Sequence, residues 1–183
     1  MRIEHTPLQD CFIIHEKVHG DARGYFIETF NQRDFAAATG LDILFVQDNQ
    51  SKSSKGVLRG LHMQRGAAAQ AKLVRVLSGA VLDVAVDLRK GSPSFGQHYA
   101  IELTEDNHKQ FFVPAGFAHG FVVLSESATF FYKVDKFYEP GNEVGIMYND
   151  KDLNINWQLP ENEIILSDKD KILGSYADYV ASL

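Results

Sequence analysis

Two residue types that rarely share an apolar run stand three positions apart in Val57-Leu58-Arg59-Gly60-Leu61-His62-Met63-Gln64. Arginine is a permanent cation, and histidine titrates near neutrality, with an unperturbed pKa of about 6.5. Such a pair suits a site that holds an anionic ligand and moves a proton on it. Each also has a plainer reading. A lone strand histidine is most often a core imidazole bonded to a backbone carbonyl, and a buried guanidinium simply requires an anion. Parity adds a condition, because residues 59 and 62 point to opposite faces of a regular strand. One cavity receives both only if the strand bends or bulges, and Gly60 suits that.

A second segment, Pro114-Ala115-Gly116-Phe117-Ala118-His119-Gly120-Phe121, reads as a turn entering a strand. It puts His119 at the strand's mouth, where barrel ligands bind; the alternative is an ordinary turn with an exposed histidine. Tyr132 in Thr129-Phe130-Phe131-Tyr132-Lys133-Val134 is a proton donor only if it faces a partner across a cavity, and otherwise a core or edge aromatic. Lys72 opens a strand, a position most often solvated. Arg23 and Glu28 flank Gly24-Tyr25-Phe26, and Gln47-Asp48-Asn49-Gln50 forms a polar cluster closing an apolar strand. That cluster either reads ligand hydroxyls or turns the chain.

Several chemistries lack their motif. There is no Gly-x-Gly-x-x-Gly, no Walker A loop, no His-Glu-x-x-His and no Gly-x-Ser-x-Gly. His-x-His, which many metal-binding jelly rolls use, is also missing. His62 and His119 with a carboxylate make an incomplete ligand set, so no metal site is expected.

The elements that must position these residues are strands. Residues 26–30, 43–47, 57–64, 73–77, 81–88, 99–103, 110–113, 120–124 and 129–134 are short, rich in Val, Ile, Phe and Tyr, and separated by turn residues. In the fifth of these, Leu82, Val84 and Val86 share one face, and Val81, Asp83, Ala85 and Asp87 the other. A helix is expected at Gln32–Thr39, capped by Asn31 and stopped at Gly40, with another short one beyond Asp168. Many strands without alternating helices predict a mainly β chain, a jelly-roll barrel with a polar cavity and short peripheral helices. The whole of 1–183 reads as a single domain.

The bulk properties narrow the partners. Of 183 residues, 45% are apolar, and the net charge of −6 disfavours a general nucleic-acid binder. The single Cys11 excludes an internal disulfide. No apolar run approaches the roughly 20 residues of a membrane span. The N-terminus, Met1-Arg2-Ile3-Glu4-His5, has no signal-peptide pattern, so a cytoplasmic location is expected.

Taken together, Phe45-Val46-Gln47-Asp48-Asn49, Val57-Leu58-Arg59-Gly60-Leu61-His62, Lys72-Leu73-Val74-Arg75, Asp83-Val84-Ala85-Val86-Asp87 and residues 114–121 resemble the dTDP-4-dehydrorhamnose 3,5-epimerase family. The likeness runs from about Gly20 to Asp170. It implies a cupin-type jelly roll without metal or cofactor, a homodimer with exchanged N-terminal strands, and a dTDP-linked 4-keto-6-deoxy sugar as substrate. It further implies that His62 is the proton acceptor, Tyr132 the donor on the opposite face, Asp170 the carboxylate paired with the histidine, and Lys72 a ligand near the sugar carbonyl. Arg23, Phe26, Glu28, Gln47, Asn49, Arg59, His119, Glu143 and Lys169 fall at nucleotide-sugar-binding positions, and Tyr138 where a ring stacks on thymine. Some N-terminal members of that set are expected to serve the partner's site.

The implied chemistry suits these groups. A ketone at carbon 4 acidifies the hydrogens at carbons 3 and 5, so a base near neutrality can form an enolate without redox help. A carboxylate on the imidazole fixes its tautomer, and a cation stabilises the enolate oxygen. The rivals are a single-carbon epimerase of another nucleotide-linked 4-keto sugar, a non-catalytic cupin sugar binder and a metal-dependent cupin.

Overall fold

The two-faced pattern of residues 81–88 is that of a strand covered on both sides. The computed structural model, which describes residues 1–183, places it inside a two-sheet sandwich. In chain order the strands are β1 (Arg2–His5), β2 (Phe12–His15), β3 (Val18–Asp21), β4 (Gly24–Ile27), β5 (Gln47–Ser54), β6 (Leu58–Gln64) and β7 (Lys72–Ser78). They continue as β8 (Ala80–Asp87), β9 (His98–Thr104), β10 (Lys109–Val113), β11 (Phe117–Val123), β12 (Ser127–Val134) and β13 (Glu143–Gly145). Two helices are peripheral, α1 (Gln32–Thr39) and α2 (Tyr176–Ala181). One sheet has the order β1-β2-β10-β7-β12-β5, the other β13-β6-β11-β8-β9, and β3 and β4 stand apart as an antiparallel hairpin. This is the expected jelly roll with short peripheral helices.

Apolar residues sort by parity into three layers. Val74, Val76, Val81, Ala85, Phe111, Phe117, Phe121 and Phe130 pack between the sheets. The opposite face of β8, Leu82, Val84 and Val86, joins Leu58, Leu61 and Val122 under Tyr148, Leu153 and Trp157 of the C-terminal segment. Phe12, Ile14, Leu73 and Phe112, on the outside of the six-stranded sheet, pack on Phe35 of α1. The helix forms where expected: the Asn31 side chain accepts from the Arg33 and Asp34 amides, and Gly40 takes the left-handed conformation at its end. Phe35 is its fully buried anchor, a burial that contributes about 2 kcal/mol.

The structure corrects several boundaries. Residues 43–47 are not a strand. Ile43 and Phe45 pack with Phe35 over the outer face of the sheet, and the strand begins at Gln47 and runs through the polar residues to Ser54. The Gln47–Asn49 cluster therefore opens β5 rather than closing an apolar strand. β5 is an edge strand whose Gln47, Asn49, Ser51 and Ser53 alternate inward, so polarity reflects a wet cavity rather than a turn. The strand expected over 26–30 ends at Ile27, and β11 starts at Phe117, so His119 lies inside a strand instead of at its mouth. The short strands β1, β2, β3 and β13 carry no pattern long enough to read before their partners are known.

Candidate active site

The opening condition on Arg59 and His62 is met by a bulge. Across β11 and β6, His119 pairs with His62 and Phe121 with Arg59, so two steps on β11 span three on β6. Gly60 absorbs the extra residue at φ +135°, and a Cβ there would lie 2.5 Å from the Gly120 Cα and 2.9 Å from the His119 carbonyl. Only glycine fits that close backbone approach. Arg59 and His62 consequently line the same cavity, of about 440 Å³, between the open edges of the sheets.

Its two walls carry different groups. From the five-stranded sheet come Arg59, His62 and His119; from the six-stranded sheet come Asn49, Lys72 and Tyr132. Phe121 and Phe130, stacked with centroids 4.1 Å apart, supply apolar lining from either side. Asp170 and Lys169 arrive from the C-terminal segment.

His62 Nε2 lies 2.5 Å from Asp170 Oδ1, and Asp170 is only 3% exposed. The other ring nitrogen, Nδ1, has Glu143 Oε1 at 3.9 Å. Burial pushes the His62 pKa below the usual imidazole range, against the pull of the Asp170 carboxylate. The imidazole is thus neutral and competent as a base near pH 7. Lys72 is pulled down to about 8 by burial, with Asp83 and Glu143 drawing it back up at longer range. Burial raises Tyr132, partly offset by the Arg59 charge, and keeps the phenol protonated as a donor needs.

Beside His62, Glu143 accepts from Lys169 Nζ at 2.6 Å and from the Tyr138 hydroxyl at 2.6 Å. Burial raises its pKa, but those two hydrogen bonds outweigh it and hold Glu143 below the usual carboxylate range. Gln47 Nε2 donates to Asn49 Oδ1 at 2.9 Å, orienting an amide that faces the cavity.

Two expectations meet a different geometry, and one group of residues lies outside this cavity. Arg59 is exposed at the cavity mouth instead of buried, with its guanidinium resting on Ser53 Oγ at 3.2 Å. His119, far from being exposed, is 7% accessible and bonds both Asp83 oxygens at 2.9 and 3.0 Å. Arg23, Phe26 and Glu28 lie outside the cavity of their own chain. Arg23 pairs with Asp21 on the β3–β4 hairpin, Phe26 is 69% exposed, and Glu28 accepts from Asn31.

Sequence reading passed over Asp83, Ser51, Ser53, Phe121, Phe130 and Ser167. Period-2 alternation from Asn49 would have pointed to Ser51 and Ser53. Asp83, a buried carboxylate among the apolar residues of β8, was itself a signal that it meets a hydrogen-bond donor. Ser167 carried no signal. No group of three or more His, Cys, Asp or Glu side chains is arranged to hold a metal ion, and no helix is long and apolar enough to cross a membrane.

A family model described as dTDP-4-dehydrorhamnose 3,5-epimerase matches residues 5–178. A dTDP-4-dehydrorhamnose 3,5-epimerase of Shigella flexneri is 51% identical over 170 residues, 93% of each chain. The crystal structure of such an enzyme from Elizabethkingia anophelis superposes with a TM-score of 0.94 at 55% identity, covering 97% of both chains. That of a dTDP-6-deoxy-D-glucose-3,5-epimerase from Legionella pneumophila, in complex with dTDP-4-keto-L-rhamnose, gives 0.92 at 46% identity over 97% of this chain and 96% of that one.

Proposed function

The chain belongs to the dTDP-4-dehydrorhamnose 3,5-epimerase family, and from that premise we propose how its side chains divide the work on a dTDP-linked 4-keto-6-deoxy sugar. The enzyme is an isomerase of the dTDP-rhamnose route. It converts dTDP-4-dehydro-6-deoxy-D-glucose to dTDP-4-dehydro-L-rhamnose by inversion at carbons 3 and 5.

His62 removes the proton next to the ketone, and the electron pair moves onto the carbon-4 oxygen as an enolate. Asp170 holds the imidazole by Nε2 and stabilises the imidazolium that forms. Lys72, on the opposite wall, gives the enolate oxygen a cation. Tyr132 returns a proton from the far face, which inverts the carbon. The observation that carries this reading is the placement of His62 and Tyr132 on facing sheets across one cavity. A base and an acid on the same wall would restore the original configuration.

Arg59 at the mouth clamps the pyrophosphate, for which a guanidinium is suited. Asn49, Gln47, His119 and Lys169 position the nucleotide sugar, and Tyr138, 49% exposed beside Glu143, offers a ring for the base to stack on. Arg23, Phe26 and Glu28 complete the site of a second copy. Their hairpin stands outside both sheets, and Tyr25 and Phe26 expose 59% and 69% of their surface. The working unit is thus a homodimer of single-domain chains in the cytoplasm, and the acid–base set of its cavity assigns no step to a metal or cofactor.

The test is proton exchange in deuterated water, read by NMR. Label is expected at both carbon 3 and carbon 5. His62→Ala is expected to abolish exchange while dTDP affinity stays within about threefold, since general base catalysis is worth ~10²–10⁴-fold. Label at one carbon only would make the protein a single-carbon epimerase; equal loss of exchange and affinity would make His62 a binding residue.

A further inference from the structure

We infer that Ser167 is a positioning residue of this site, the third member of a chain running from Ser167 through Asp170 to His62. The inference rests on the reading of His62 as base. Ser167 lines the cavity at the start of the turn that delivers Asp170. Its hydroxyl donates to Asp170 Oδ2 at 2.8 Å and accepts from the Asp170 amide at 3.2 Å. The Asp170 amide also bonds the Ser167 carbonyl at 3.1 Å, closing the turn.

The stoichiometry is what a serine can supply: one proton to give and lone pairs to receive. The carboxylate is then used on both sides, with Oδ1 on the imidazole and Oδ2 on the hydroxyl. Without Ser167, one oxygen of a carboxylate that is 3% exposed loses its partner, and the group is free to rotate about its last bond. The Oδ1 contact to His62 is the one that suffers. Asp170 sits on a one-turn 3-10 helix in a segment outside both sheets, so no strand register fixes its side chain. Ser167 does locally what a ladder does elsewhere.

The charged and titratable groups facing the His62–Asp170 pair are Glu143, Lys72 and Lys169, with Arg59, His119 and Tyr132 on the cavity walls. Ser167→Ala touches none of them directly, and because Ser167 is itself exposed the variant is expected to fold.

Ser167→Ala is expected to lower kcat about tenfold, the worth of one hydrogen bond to a charged group, with KM within about twofold. Burial already depresses the His62 pKa against the pull of Asp170. With that pull weakened, the acidic limb of kcat/KM moves to lower pH. Ser167→Thr, which keeps the hydroxyl, restores both kcat and the limb. An unchanged kcat and acidic limb in Ser167→Ala would overturn the inference, as would failure of threonine to rescue. His62→Ala is assayed alongside. If it retains turnover, the assignment of the base fails; if it is dead while Ser167→Ala behaves as wild type, only the role of Ser167 fails.

Discussion

The cavity contains two histidine–carboxylate pairs that look alike on paper and are built for different ends. His119 and Asp83 sit on adjacent central strands, β11 and β8, with side chains 8% and 0% exposed. One ring nitrogen is shared between both carboxylate oxygens, so the pair is closed on itself. His62 and Asp170 are joined across 108 residues, from the bulged strand β6 to a C-terminal turn. There the carboxylate uses one oxygen on the imidazole, and the histidine side chain is 26% exposed. The first pair is locked by sheet register; the second is held by side chains and keeps an edge toward the ligand. The second construction suits the role proposed for His62, which is to gain and lose a proton in each turnover. The first suits a wall that holds its shape and hydrogen-bonding pattern.

The contrast breaks most sharply at Asp170. Asp170→Asn preserves volume and most contacts but removes the charge that stabilises an imidazolium. Turnover is expected to fall about a thousandfold, within the range for a disabled acid–base unit. The unfolding midpoint is expected to stay nearly constant. Steady-state rates beside thermal melts check this. A loss of turnover below tenfold would put the two pairs in the same class.

His119→Ala probes the other side. It leaves Asp83 as a fully buried carboxylate without its partner, a change that costs about 3 kcal/mol or more. For a chain of this length, that corresponds to a melting point lowered by roughly 6–12 °C. His62→Ala, at a partly open site, is expected to move it by less than about 3 °C. Equal shifts in the two variants would show that both pairs are structural.

The same contrast explains what was legible from sequence. Residues 81–88 and Gln32–Thr39 declare themselves because local periodicity and caps are enough. Arg59, Gly60 and His62 were readable as a problem of parity, and the bulge is its solution. By contrast, the burial of His119 depends on Asp83, 36 positions away on a neighbouring strand, and no local window contains that fact. β5 was misplaced because its inward face is polar, the reverse of the pattern that marks a strand against a dry core. Asp170 came into view through family likeness. Nothing in Leu166-Ser167-Asp168-Lys169-Asp170 says which of two aspartates turns inward, yet Asp168 forms an exposed pair with Lys171 while Asp170 is buried.

The smallest effect concerns pH. As the proposed base, His62 must be neutral to accept a proton, and burial lowers its pKa despite Asp170. Turnover therefore persists below the ordinary imidazole range and falls only as pH drops through that lowered value. In its proposed role on the enolate oxygen, Lys72 must be charged, and burial brings it to about 8. Above that pH it sheds its proton and turnover falls again. The kcat profile is expected to be a bell with its alkaline limb near 8. Lys72→Arg, which stays charged, is expected to push that limb upward, and a wild-type profile flat to pH 10 would remove Lys72 from the enolate step. His119→Gln sharpens the comparison, because it alters the closed pair and leaves in place His62 and Lys72, the groups proposed to set the two limbs. Both should stay within about 0.3 pH units, roughly a twofold change in the underlying equilibrium, even where the rate itself declines.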